Sequence, residues 1–209
     1  MLDVHPAHHA ASTWREFFIH IATIVLGLLI AIALEQAVEW VHHKQIVREA
    51  RENIRKEIET NQSETAKDIR YVQDDADAMK ANLAEIRRME ADPQHKESMH
   101  FEFTWSSFNE SAWLSARDSG ALIYMPVDEV QRYADAYEQQ ELVNKAAIEV
   151  FTDQTSLPAT MLLVDATHPL RPDDAATLAH GCAAMFLKLH GLQELTEQLS
   201  GQYSLLLKR

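Results

Sequence analysis

Phe17-Phe-Ile-His-Ile-Ala-Thr-Ile-Val-Leu-Gly-Leu-Leu-Ile-Ala-Ile-Ala-Leu34 is a run of eighteen residues without a formal charge. Coiled as an α-helix at ~1.5 Å per residue it extends about 27 Å, close to the ~30 Å hydrocarbon core of a bilayer. Trp14 and Trp40 flank it, at the positions where amphipathic rings settle between lipid and water. A core helix of a soluble domain would show a polar face, and here only His20 and Thr23 are polar. Ala31-Ile32-Ala33 fits the small-x-small rule of a secretory signal, but Arg15 is the only basic residue ahead of the run, so an uncleaved anchor is expected.

Working outward, neither Pro nor Gly occurs between the apolar run and Pro93. The membrane helix is therefore predicted to continue as a charged helix from Glu35 to Ala91, about 85 Å at ~1.5 Å per residue. Its apolar positions are Ile54 and Ile58, then Ile69, Val72, Ala76, Met79, Leu83 and Ile86 at alternating spacings of three and four. Between the two groups lie Asn61 and Thr65, and the phase slips by one position. That pattern suits a helix packing on helices of its own chain better than a coiled coil.

Asp92-Pro93 predicts the stop. Phe101, Phe103 and Trp105 alternate, which permits a short extended piece within residues 94–106. Ser107-Phe-Asn-Glu110 reads as a capping box opening a short helix with Ala112, Trp113 and Ala116, stopped by Gly120. Pro126 is placed as a first helical residue. The helix after it carries Val130, Tyr133, Tyr137, Ile148 and Phe151, up to a kink or end at Pro158. After a connection over Thr167–Pro172, a last helix spans about Pro172 to Leu207. Leu178, Cys182, Met185, Leu189, Leu192, Thr196, Leu199, Tyr203 and Leu206 form one stripe along it. The economical cover for that stripe is the long helix before Pro93, running antiparallel. The predicted fold is all-α: one N-terminal transmembrane helix continuing into a long helix of an antiparallel bundle. Residues 1–13 form a tail, 14–44 the anchor and its flanks, and 45–209 the bundle domain.

Composition narrows the function classes. A formal net charge of −13 over 209 residues argues against nucleic acid as a partner. One cysteine leaves no disulfide framework and no cysteine-based zinc site. Five glycines, with no G-x-S-x-G, H-E-x-x-H or Walker sequence, leave no phosphate loop and no catalytic constellation. Neither enzymatic activity nor a cofactor is expected. His5, His8 and His9 are spaced like metal ligands but have no acidic or thiol companion, so a solvated tail is the expectation and no metal site is assigned.

Trp113-Leu-Ser-Ala-Arg-Asp-Ser-Gly120, followed by a helix with Tyr133 and Tyr137, and the run from Trp14 to Ala33 resemble a group of single-pass bacterial inner-membrane proteins of uncharacterised activity. These share an N-terminal anchor, a charged helix, and a Trp with a Gly seven residues later. The resemblance covers residues 14–44 and 110–140. It implies an inner-membrane location and a helical domain, and it transfers no catalytic residue.

Two surfaces are candidates for contact. Helical periodicity puts His20, Thr23, Gly27, Ala31 and Glu35 on one stripe, with Thr23, Gly27 and Ala31 in small-xxx-small spacing. Small residues let membrane helices approach closely, and polar ones can bond across them. Phe101, Phe103, Trp105, Phe108, Trp113, Tyr124, Tyr133 and Tyr137 fall within a short stretch. They read either as core filling or as a ligand pocket. The expected partners are the lipid bilayer and a membrane protein, or a second copy, met through the transmembrane helix. This favours a non-catalytic accessory subunit, assembly factor or scaffold. The alternative is a ligand-sensing helical module, which would need a partner to carry its output. Lys and Arg flanking the anchor number one before it against five after it, which favours a cytoplasmic domain. Arg15 lies beside the membrane, however, whereas Lys44 is well beyond it, and long domains translocate largely regardless of charge, so a periplasmic domain is the reading adopted.

Overall fold

The computed structural model describes residues 13–92, 95, 98–162 and 170–208, and the N-terminal histidines lie outside them. All regular structure among the described residues is helical. Helix α1 runs from Trp14 to Ala91, so the apolar run and the charged segment are one helix, as the absence of Pro and Gly requires. Helix α2 spans Ser111–Asp118, a 3-10 turn Ala121–Tyr124, α3 Val127–Gln154, α4 Leu157–Met161 and α5 Pro172–Leu207. The chain divides into two compact units, Met1–Arg48 and Glu49–Arg209.

In the first unit α1 presents one window of mean hydropathy 2.7, long and apolar enough to cross a membrane, and none of that window is buried. Leu28, Leu29 and Ile30 are all more than half exposed. Trp14 meets Phe17 edge to face at 6.0 Å, and the Lys44 ammonium sits 3.6 Å over the Trp40 ring.

In the second unit the core runs along α1, α3 and α5. The α5 stripe is buried from Leu178 through Tyr203, at 3 % exposure or less throughout, while Leu206 is half-buried. α5 packs closely on α3: Gln139 bonds the Leu195 carbonyl, and Asp153 pairs with Lys188. Toward α1, Arg55 reaches the Leu207 carbonyl, Gln62 bonds Ser200, and Lys80 lies over the Phe186 ring. Residue numbers fall along α5 as they rise along α1 and along α3. The stripe's helix thus packs on α3, with side chains of α1 reaching it as well.

Several sequence readings shift by a face. On α3 the buried positions are Ala136, Tyr137, Gln140, Val143, Ala147 and Val150, whereas Ile148 and Phe151 are 64 % and 58 % exposed. α3 also ends at Gln154, short of Pro158, which falls inside α4. Pro126 is the N-cap of α3 rather than its first residue. Gly120 does stop α2, with φ +76° in the left-handed region that glycine tolerates.

The two α5 glycines play different parts. A Cβ on Gly181 would fall 2.4 Å from Leu157 Cδ2, so its absence lets α4 approach, while Gly191 faces open space. Gly191→Ala should therefore stabilise the domain by about 0.5–1 kcal/mol through helix propensity alone. Gly181→Ala should show no such gain, because Leu157 must move. Urea unfolding of the two variants separates these outcomes.

Candidate functional site

The buried face of α1 carries polar residues the phase slip concealed. Asn61, Thr65 and Asp68 are fully buried and Asn82 nearly so, and Ile69 is only half-buried. With Asp68, Asp75 and Asn82 in place of Ile69, Ala76 and Leu83, the three-four alternation runs unbroken from Ile54 to Ile86. Asn61, Asp68, Asp75 and Asn82 stand seven residues apart, hence on one line down the helix.

That line holds the chain leading into α2. Asn82 Nδ2 donates to the His100 carbonyl at 2.6 Å, and the His100 N–H donates back to Asn82 Oδ1 at 3.0 Å. The Thr104 N–H donates to the Asp75 carboxylate, and the Ser106 N–H to Asp68 Oδ1 at 3.0 Å. Asn61 repeats the two-way pairing, its Nδ2 to the Asn109 carbonyl at 2.7 Å and the Asn109 N–H to its Oδ1 at 2.9 Å. The lengths match: Asn61 to Asn82 is about 31 Å of helix at ~1.5 Å per residue. His100 to Asn109 is about 30 Å of extended chain at ~3.3 Å per residue. Residues 98–110 thus form a strap whose backbone is satisfied by helix side chains instead of a neighbouring strand. The alternation of Phe101, Phe103 and Trp105 is its half-buried side.

Next to the strap, Glu57 gathers four donors. Its Oε2 accepts from the Ser111 hydroxyl at 3.0 Å and the Ala112 N–H at 2.8 Å. Its Oε1 accepts from the Trp113 N–H at 3.3 Å and the Tyr137 hydroxyl at 2.7 Å. It is therefore Glu57 of α1, not a Ser107–Glu110 capping box, that caps α2, whose own N-cap makes no side-chain bond. A carboxylate at a helix N-terminus meets both free N–H groups and the positive end of the dipole. Burial and the adjacent Glu57 carboxylate push the Tyr137 hydroxyl well above its ordinary range. Gln140 connects this centre to α5, accepting from Asn61 at 3.0 Å and from the Tyr203 hydroxyl at 2.5 Å. Glu57 has four lone-pair sites and four donors, which makes it a structural hub rather than a group free to meet a substrate.

The aromatic residues divide into two clusters. Phe103 stacks on Trp105 at 6.2 Å, and Trp105 meets Phe108 edge to face at 5.6 Å. Trp113 stacks on Tyr137 at 5.3 Å and lies 6.4 Å from Tyr133. Phe108 and Tyr137 are buried core, and Tyr124 is 49 % exposed. Of the set, Phe103 and Trp105 line an open groove of about 460 Å³, with Ser107, Asn144, Ile148 and Phe151 completing its walls. Tyr133 faces a second cleft with Arg51, Arg55 and Arg132. There Glu129 holds Arg51 with two bonds, at 2.7 and 2.6 Å, Glu59 holds Arg55 at 3.1 Å, and Asp128 holds Arg132 at 2.6 Å, so this cleft is nearly neutral.

On the apolar run of α1 and its end, His20, Thr23, Gly27, Ala31 and Glu35 are all exposed. His20 Nδ1 meets the Glu16 carbonyl at 2.9 Å, and the Thr23 hydroxyl donates to the Ile19 carbonyl at 2.9 Å. Both polar side chains thus have a backbone partner within the helix, and His20 keeps Nε2 for another. A Cβ on Gly27 would touch nothing within 4 Å. Cys182 is buried, and burial pushes its thiol up to about 11, which suits a packed side chain and not a nucleophile. Among the described residues no three His, Cys, Asp or Glu side chains are grouped to hold a metal ion. Compared with known proteins, the chain matches no protein-family model, no curated protein and no solved structure.

Proposed function

We propose that this is a non-catalytic interaction protein of the bacterial inner membrane, of the single-pass group it resembles. It serves as an accessory subunit, assembly factor or scaffold, with a periplasmic domain in which α1 and α5 run antiparallel. The observation that carries the reading is α1 itself: one helix bears an unburied apolar window and the buried stripe that organises the domain. The saturated Glu57 and the inert Cys182 support a binding role over a chemical one. The falling numbers of the α1–α5 contacts support the antiparallel packing.

The partner is met through the His20–Glu35 stripe. Lipid tails are as apolar as leucine, so helix pairing in the bilayer depends on close packing and interhelical hydrogen bonds. Gly27→Leu should abolish co-purification of the partner, or crosslinking to a second copy, in mild detergent. A Cβ there meets nothing within 4 Å in its own chain, so a loss points to the partner. Leu28→Ala, on another face, should leave association intact. Undiminished association of Gly27→Leu at matched expression would move the interaction to the soluble helices. A reporter fused after Arg209 should register the periplasm, and a cytoplasmic signal would overturn the orientation.

A second reading, a ligand-sensing module, is favoured by the groove between Phe103, Trp105, Ile148 and Phe151.

A further inference from the structure

We propose that the strap over residues 98–110 is a proton-dependent latch, in which Asp68 and Asp75 grip its middle fully only when protonated, while Asn61 and Asn82 pin its ends at any pH.

The geometry distinguishes the rungs. Each asparagine both accepts a strap N–H and donates to the carbonyl of the same residue. The aspartates occupy the same line, and each accepts one strap N–H; Asp68 also accepts from the Ser106 hydroxyl. Their Oδ2 atoms are buried without a hydrogen-bond partner among the described residues. Oδ2 is the counterpart of the asparagine Nδ2, the atom that donates to the strap carbonyl. An ionised carboxylate has nothing to donate; a protonated one has an O–H for the Ser106 or Thr104 carbonyl and completes a two-way rung. Burying an unpaired charge is costly, so the proton is favoured.

The surroundings do not supply a compensating cation to both. Near Asp68 the charged groups are Glu64 and Lys67 of its own helix, with Ser106 the strap residue in contact. Lys67 is drawn to Glu64, at 2.8 Å. Near Asp75 they are Asp74 on α1 and Glu102 on the strap, both negative. Among the described residues no ion pair joins α3 or α5 to either carboxylate. Desolvation leads the causes that push each group up to about 6 from its ordinary 3.8. The sign follows: the native state holds protons that the unfolded chain has released between about pH 4 and 6, so stability is greatest at the acid end and falls as pH rises. The residues released are Thr104 to Ser106, and Trp105 among them walls the groove. The latch thus couples acidity to that wall, whatever occupies it.

The test compares the full-length protein with D68N/D75N, each in neutral detergent micelles, at pH 5.0 and 7.5. Hydrogen exchange of peptides spanning 98–110, corrected for intrinsic rates, gives the protection of the strap. Wild-type protection should fall by about tenfold per carboxylate between pH 5.0 and 7.5. The double asparagine variant should be better protected than wild type at pH 7.5 by tenfold or more, and nearly flat with pH. Equal pH dependence in the two proteins, or a variant less protected at pH 7.5, would overturn the latch. Asn61→Asp serves as a converse: it should introduce a pH-dependent loss at the α2 end of the strap, and pH-independent protection there would also count against the proposal.

Discussion

Leu189→Ala is expected to lower the stability of the helical domain by about 2–5 kcal/mol, a large share of the ~5–15 kcal/mol typical of a folded domain. Leu189 is 1 % exposed, as is Leu192, and Leu199 is fully buried. The helix that carries the stripe packs closely on α3, so the surroundings of a truncated side chain can collapse only partly into the void. Leu187 and Leu205 lie on the same helix at 67 % exposure. Their alanine variants should stay within about 0.5 kcal/mol of the parent. Urea unfolding of the intact chain in micelles, followed by the helical circular dichroism signal, reads all three. A Leu189→Ala midpoint no lower than that of Leu187→Ala would mean the stripe is not the core.

Glu57→Ala should cost about 3–5 kcal/mol, more than a typical polar substitution, because it strands four donors at once. The Tyr137 hydroxyl, the Ser111 hydroxyl and the N–H groups of Ala112 and Trp113 all lose their acceptor. Each bond to a charged acceptor is worth about 1.5–3 kcal/mol, and a buried group left unpaired pays its desolvation in full. Water reaching the α2 end of the site recovers part of this. Glu57→Gln should fall between the parent and alanine: its carbonyl oxygen still accepts, but its amide turns hydrogens toward two donors. Tyr137→Phe removes a single bond to that carboxylate and should cost about 1.5–3 kcal/mol. Hydrogen exchange would localise the Glu57→Ala effect to the first turn of α2. Unchanged protection there, with unchanged stability, would show that α2 does not depend on this cap.

The polar line down α1 explains why part of the molecule was hidden from its sequence. Asn and Asp are residues of surfaces and turns, so Asn61, Asp68, Asp75 and Asn82 read as solvated positions or as a slip in phase. Asn61, Asp68 and Asn82 are buried and Asp75 is half-buried because an extended strap with no strand beside it must still satisfy its backbone, and nothing local to α1 announces that strap. The same holds for Glu57, whose partners on α2 and α3 lie far along the chain, and for the α2 start, where a local Ser-x-x-Glu pattern lost to a carboxylate from another helix. Ile148 and Phe151 misled in the opposite direction. They are apolar and helically spaced, yet the packing of α3 on α5 and α1 selects the Val143–Val150 face and leaves them lining a groove.

The sequence by itself determined the elements whose cause is local. A Pro-free and Gly-free stretch with an uncharged apolar run yields the single helix α1, and the Pro172 start and unbroken three-four spacing yield α5 with its buried stripe. Both rest on backbone propensity and on hydrophobic periodicity, which are properties of neighbours in the chain. The tertiary structure alone decided which polar side chains are buried, which helices cover α5, and where the aromatics divide into core and groove. Those outcomes depend on pairing donors with acceptors across dozens of residues, and a hydrogen bond between distant segments leaves no periodic trace in either of them.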